Sequence, residues 1–474
     1  MEKSVVLVLL LCFCNPFLFG QSTQTFTPRE MREDIDTLIS FIETAHPNPY
    51  YRYPKTQFYK EAAAIKNKLN KPLDLIDFYL LAEPLLTRLE DGHTDFSIPM
   101  AAYNKKNPFV LPYKFRLSPD KPYIRCERAY RSITPELPDG ALIISINDIP
   151  AKKIVDDVIR LNAGETRTFR AEFGGTNYFE FYLEKLYHAN GLYKIRFSKG
   201  AAIHTITIKG IRQDVLNKQL QRYNDSVERV KPEHNTNYSL QLLPAEKAAI
   251  ISFLEFDDLD ECKVFIDSAF GILKSRGIEY LIIDIRENGG GDSDIGDELM
   301  QYIARQPFRQ YDSVLEKHSQ LLKQRLLAHR KNRTLDSADK AFLNKPNGVF
   351  NTTLYQNTPL RDNPLRFTGH LYLLTSPYTF SSAADFAQMF RHYQLGTIIG
   401  EETGGLIISY GDIVSASLPH TGLQITISSK LYYNVGSRKN DWKGVVPDKI
   451  IPSGKAMSLA LKLIRQSKTV TGSN

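Results

Sequence analysis

Three kinds of signal are scarce in this chain of 474 residues, and each scarcity excludes something. Cysteine is the first: there are 4, and two of them, Cys12 and Cys14, fall in an apolar stretch at the N-terminus. No C-x-x-C, H-E-x-x-H or Walker-type pattern occurs, so the sequence leads us to expect neither a metal nor a nucleotide cofactor. The second is charge of one sign. Lys and Arg total 60 against 53 Asp and Glu, a net +7 that is spread along the chain. The densest basic stretch, "KQRLLAHRKNR" (323–333), has no aromatic residue interleaved and reads as a solvated helix face, so no nucleic-acid partner is expected. The third is long hydrophobic runs. Only Val5–Cys14 qualifies, and it is shorter than the roughly 20 residues a membrane span needs. There is no internal repeat.

That N-terminal run has its own logic. In "MEKSVVLVLLLCFCNPFLFGQ" a lysine precedes the apolar stretch, Asn15-Pro16 breaks it, and Gly20 offers a small residue for cleavage. We expect a signal peptide over 1–20 and an exported mature chain, periplasmic, cell-surface or extracellular, with no integral membrane segment. Phe13 before Cys14 and Leu11 before Cys12 fit a lipid-anchor site poorly. After cleavage Cys126 and Cys262 remain. Export permits a disulfide between them; two buried free thiols fit equally well.

The length allows about three domains at roughly 150 residues each. Residues 27–104 read as an N-terminal helical region: "PREMREDIDTLISFIETAH" sets Met31, Ile35, Leu38, Ile39 and Ile42 at helical spacing, and "DLIDFYLLAEPLLTRLEDGHT" is a second such stretch. Residues 105–212 turn β-rich, with "YIRCERAY", "ALIISIND" and "IHTITIKGI" around one helix, "AKKIVDDVIRLN". From 235 to 465 near-continuous apolar strands ("KAAIISFLEF", "YLIIDIR", "HLYLLTS", "GTIIGEE") alternate with helices, which predicts an α/β core. Residues 306–365 are polar and interrupt that core, as a surface insertion or a lid.

Four stretches carry groups suited to chemistry. "TFSSAADFA" (379–387) puts two serines at a strand-to-helix turn, where free N–H groups and the helix dipole favour negative charge; serines also serve as plain helix caps. "DIRENGGGDSD" (284–294) places three glycines after a buried strand, able to offer backbone N–H groups or merely to connect. "LEDGHTDF" (89–96) holds His93. Its neighbours Asp91 and Asp95 lie two residues away and so point elsewhere on any regular element. "NDWKGVVPDKII" (440–451) reads as a turn and a strand and holds Asp441 beside the sole tryptophan.

Taken in this order, the four resemble the C-terminal processing (tail-specific) serine protease family. The family's D-[LI]-R-x-N-x-G-G loop stands here as Asp284–Gly291, its serine turn as "TFSSAADFA", its G-E-x-T-G-G as Gly400–Gly405, and its G-V-x-P-D as Gly444–Asp448. The resemblance implies a crotonase/ClpP-like α/β protease core with an N-terminal helical region and an inserted PDZ-like β-rich domain, the last carried by "LPDGALIISINDIPAKKIVDDVI". It implies that Ser381 is the nucleophile, with the N–H groups of Ser382 and Gly290 holding the oxyanion. The best-known members use a lysine as base, but Leu406 stands at that position and cannot accept a proton. A second branch, resembling the tricorn protease core, takes a histidine from the helical region and a carboxylate near G-V-x-P-D. His93 and Asp441 match those positions, while Gly92 stands where that branch has serine.

The chain is therefore expected to be an exported serine endopeptidase acting on peptide or protein substrates. Ser381 would attack the peptide carbonyl as His93 takes its proton. Two alternatives remain at this stage: a non-catalytic binding protein on the same fold, and an esterase or other acyl hydrolase.

Overall fold

The computed structural model describes residues 24–129, 136–228, 237–331 and 333–471. The expected signal peptide lies outside them. Three helices open the chain: α1 (Pro28–Ala45), α2 (Lys55–Lys68) and α3 (Leu75–Leu86). Thr27 and Glu30 form a reciprocal capping box at the start of α1, which satisfies N–H groups that a helix end otherwise leaves bare. Met31, Ile35, Leu38, Ile39 and Ile42 form its buried face, as their spacing predicts. Each such side chain contributes about 1.5–3 kcal/mol. Asp34 is buried on the same helix and accepts hydrogen bonds from His420 N, Thr421 N and Thr421 Oγ1. The helical region is thereby tied to the C-terminal part of the chain.

The inserted domain is an antiparallel meander: β1 (Tyr113–Leu117), β2 (Ile124–Ala129), β3 (Leu142–Ile146), β4 (Leu192–Lys199) and β5 (Ala202–Lys209), in spatial order β5-β4-β3-β2-β1. The expected helix is present as α4 (Ala151–Arg160). Two further helices follow that the sequence reading missed, α5 (Arg167–Asn177) and α6 (Phe179–Tyr187). Gly174 and Gly175 sit inside α5, and helix interiors disfavour glycine. Here they let the helix press onto Val158, Asn162 and Leu117 at distances that a Cβ would not allow.

The core sheet contains β6 (Tyr238–Leu243), β7 (Ala248–Phe253), β8 (Tyr280–Asp284), β11 (His370–Thr375), β12 (Thr397–Gly400) and β15 (Lys449–Ile450), neighbours in that order. All pairings are parallel except β6 with β7. Helices α7 (Leu259–Ser275), α8 (Asp294–Ile303), α9 (Ser382–His392) and α10 (Ser453–Thr471) accompany it. A second sheet holds β9 (Tyr311–Lys317), β10 (Phe350–Leu354), β13 (Ile408–Ser417) and β14 (Gln424–Asn434), ordered β10-β9-β14-β13. Part of the 306–365 segment is therefore built into a sheet: β9 pairs with β14, and β10 with β9. Cys126 and Cys262 are buried free thiols, and burial pushes both up to about 12. Among the described residues no helix is long and apolar enough to cross a membrane.

Candidate active site

Two neighbouring parallel strands set the site. The chain leaves β8 into the glycine loop and leaves β11 into the serine turn, so both loops emerge at the carboxyl ends of adjacent strands. Such ends are where open α/β sheets place their ligands. Side chains stitch the two loops together. Thr379 Oγ1 donates to Ile285 O (2.9 Å), Ser382 Oγ donates to Gly291 O (3.0 Å), and Phe380 N donates to Asn288 O (3.2 Å).

Ser381 precedes α9 with φ +51° and ψ −134° and makes no side-chain capping bond. That conformation costs a non-glycine residue on the order of 1–3 kcal/mol, and it persists only where the surroundings enforce it. Gly290 lies directly against it. A Cβ on Gly290 would stand 2.6 Å from Ser381 Cβ, and its φ is +108°. The Gly290 N–H, expected to serve the oxyanion, is spent in this arrangement: it donates to Asn288 Oδ1 at 2.8 Å. The reason is local, because an Asx side chain readily folds back onto the backbone two residues on. Ser382 opens α9, and the first N–H groups of a helix have no acceptor within it.

His93 arrives from the other side. The strand Asp95–Phe96 pairs with β14, matching Phe96 with Ile425 and Asp95 with Thr426. The turn before it carries His93 to Ser381, with Nε2 3.1 Å from Ser381 Oγ although 288 residues separate them in sequence. The imidazole stacks on Phe380 (centroids 4.9 Å apart), and Phe380 stacks in turn on Phe169 of α5 (4.2 Å).

The carboxylate beside His93 is Asp91, and Asp441 is elsewhere. Asp441 accepts the Arg438 N–H of its own turn at 2.9 Å and lies 3.9 Å from Lys443 Nζ. Its match to the branch's glutamate was positional, and its turn closes on itself. The spacing argument against Asp91 fails because this segment is not a regular element: α3 ends at Leu86, a tight turn follows, and Glu90 is left-handed at φ +53°. Asp91 Oδ1 accepts the His93 backbone N–H at 2.9 Å and stands 3.8 Å from His93 Nδ1. That second separation is too long for a hydrogen bond, so the ring is held there by charge. Asp91 Oδ2 accepts from His46 Nε2 (3.1 Å), Thr94 Oγ1 (2.6 Å) and Ser428 Oγ (2.7 Å).

These contacts set the protonation. Burial opposes charge on Asp91, but the hydrogen bond from His46 and the nearness of both His46 and His93 hold it well below the usual carboxylate range. Burial likewise opposes charge on His93, yet Asp91 first, then Glu165 and Asp385, raise it above its ordinary value. Asp385, one turn into α9, accepts from Tyr311 OH (2.9 Å) and Asn434 Nδ2 (2.8 Å). Burial outweighs those bonds and lifts it to about 6.

Sequence reasoning missed His46 and Glu165. His46 gave no signal beyond its type. Its Nδ1 accepts the Asn48 N–H at 3.0 Å, so Nε2 carries the proton that Asp91 receives. Glu165 comes from the inserted segment and was not considered. Asp91, His93 and Glu165 bring candidate ligand atoms within 4.8 Å of one another, the sole such trio among the described residues. Both oxygens of Asp91 already accept N–H and O–H donors, so we do not read the trio as a metal centre. Leu406 is 2% exposed and apolar, and it supplies no base. A cleft of about 240 Å³ opens beside Tyr378, between Arg286 and Glu287 of the core and Arg116 and Glu172 of the inserted domain.

A serine on a strained turn with an imidazole in hydrogen-bond reach defines a serine hydrolase site on an α/β core. Residues 247–451 match the model of peptidase family S41. That stretch is accordingly a peptidase domain of the S41 type, a serine hydrolase. Among solved structures it is similar to mature CPAF complexed with lactacystin, with a TM-score of 0.61 at 11% identity over 94% of this chain and 98% of that one. It is also similar to the photosystem II D1 C-terminal processing protease (0.46, 12%, 92% and 97%) and to the tricorn protease (0.36, 15%, 93% and 37%). Only the first overlay is close enough to speak for the fold.

Proposed function

We propose that the chain is an exported serine endopeptidase in which Ser381 is the nucleophile and His93 the general base. The observation that carries this reading is the 3.1 Å approach of His93 Nε2 to Ser381 Oγ. Neutral His93 accepts the Ser381 proton on Nε2 while Oγ bonds to the peptide carbonyl carbon. The carbonyl π electrons move to oxygen, and the oxyanion is met by the Ser382 N–H. Gly290 becomes the second donor once its N–H leaves the Asn288 carboxamide. A missing donor of this kind costs roughly 3–4 kcal/mol of barrier. The imidazolium then protonates the leaving amine, and water repeats the sequence on the acyl-enzyme. Asp91, in place of Asp441, holds the imidazole and offsets its charge. Export follows from the layout of residues 1–20.

The test is peptide hydrolysis by Ser381→Ala and His93→Ala, with covalent labelling of Ser381 by an organophosphorus probe. Both variants should lose turnover by roughly 10⁴-fold or more while remaining folded. Wild-type turnover in folded Ser381→Ala would end the reading. A labelled serine that turns over short acyl esters but no peptide would favour an esterase.

A further inference from the structure

Glu165 has no role in the mechanism above, yet its setting is unusual. It is 7% exposed, and neither carboxyl oxygen has a hydrogen-bond partner. Buried carboxylates without partners are expensive and call for an explanation. His93 Nδ1 is likewise buried and unpartnered. Gly92 adjoins Glu165. A Cβ built there would stand 3.1 Å from Glu165 Oε2 and 2.7 Å from Phe380 Cζ. Glu165 and Phe380 therefore occupy the space that a side chain at position 92 would fill.

We propose that Glu165 is a positioning residue of the acyl-transfer reaction, set with Asp91 against the Nδ1 side of His93 to stabilise the imidazolium formed when Ser381 is deprotonated. The proposal rests on His93 being the base.

The segment holding Glu165 is fixed on both sides. Before it, Asn162 donates to Val158 O (2.7 Å) and accepts from Tyr182 OH (3.2 Å). Gly164 then turns the chain at φ +149°, packed so tightly on Phe169 that a Cβ would lie 2.5 Å from its ring. After it, Thr166 caps α5 by accepting the Phe169 N–H at 3.0 Å. The carboxyl group is thus held against the site.

Glu165 faces Asp91, His93 and Arg170, while His93 faces Asp91, Glu165, Asp385 and Ser381. Arg170 is turned to Thr87 O and Glu90 Oε1, each at 3.4 Å. Two buried carboxyl groups this close do not both ionise easily. Asp91 holds the donors and keeps the charge. Burial first, then Asp91, push Glu165 up to about 7, against the opposing pull of His93. Glu165 is partly ionised near neutral pH and more fully above it, and its negative charge then faces the ring that becomes cationic when the Ser381 proton reaches Nε2. No atom is exchanged with Glu165; it acts by charge alone.

Glu165→Gln keeps the shape and removes the charge. Without that anion the imidazolium is less stable, so the His93 titration and the acid limb of kcat should both move to lower pH, by roughly one unit. The pH-plateau kcat on a reporter peptide should fall about tenfold with KM nearly unchanged. The decisive measurement is the NMR titration of His93 in Ser381→Ala against Ser381→Ala/Glu165→Gln, which needs no turnover. A downward shift supports the proposal, and an unshifted titration in the folded double variant overturns it, whatever the kinetics say of the base. If the Gln chain does not fold, Glu165→Asp in the same background decides. Its charge is withdrawn by one methylene, so a smaller fall supports the proposal and no fall overturns it.

Discussion

Replacing Asp91 with asparagine changes one charge and almost no volume, and the structure says where the loss falls. Three donors converge on Oδ2, from His46, Thr94 and Ser428, and the His93 N–H meets Oδ1. His46 cannot switch tautomer cheaply, because the Asn48 N–H already occupies its Nδ1. The amide must therefore turn its carbonyl oxygen to the three donors and its NH₂ to the His93 N–H. One hydrogen bond is lost and two donors oppose each other, which costs about 1–3 kcal/mol of stability. Catalysis should suffer more. Asp91 stands 3.8 Å from Nδ1, and removing an anion at that range lowers an imidazole pKa by about 1–3 units. With the ring also less firmly oriented, kcat/KM should fall by roughly 10²–10⁴, about 3–5 kcal/mol of barrier. The assay is kcat/KM on a fluorogenic peptide across pH, with urea unfolding of the same sample. Asp441→Asn is the matched control and should stay within about twofold of wild type, since its carboxylate serves only its own turn. A folded Asp91→Asn enzyme with an unmoved acid limb and unchanged kcat/KM would refute the reasoning, as would a large loss in the control.

Two further variants probe the geometry. Ser381→Gly relieves the positive φ and gives up no capping bond, so unfolding free energy should rise by about 0.5–1 kcal/mol while turnover vanishes; a fall in urea midpoint would mean that the turn is not strained. Gly92→Ala places a methyl 2.7 Å from Phe380 Cζ and should cost about 1–3 kcal/mol, lowering kcat more than it raises KM because Phe380 seats the His93 imidazole; unaltered stability and kinetics would show that the ring has room to move.

The core was legible because its strands are buried on both faces and read as unbroken apolar runs, such as "YLIIDIR" and "HLYLLTS". Helix α1 was legible from its period. Helices α5 and α6 were not, since Gly174 and Gly175 serve packing that only the fold explains. Motif order led to Ser381 and His93. It failed for Asp441, where a position was transferred without its turn. Asp91 was in view and set aside by a rule for helices and strands that the left-handed Glu90 invalidates. The Gly290 N–H was read as free because the sequence does not reveal that Asn288 folds back onto it. Glu165 could not be read at all, since nothing in the sequence joins it to a histidine in another region.

Helix α5 bears on how this protein can vary. Phe169 reaches from α5 across to Phe380, and it also packs on the core glycine Gly404, where a Cβ would lie 2.7 Å from its ring. The β-rich segment is therefore not an accessory that can be traded among relatives by cutting at its two ends. Its boundary on the catalytic side runs through the aromatic stack itself. A shuffled chain that kept β1–β5 but replaced α5 would retain Ser381 and His93 and lose part of the aromatic stack on which the imidazole rests. Selection on the insertion and selection on the chemistry act here on the same few residues.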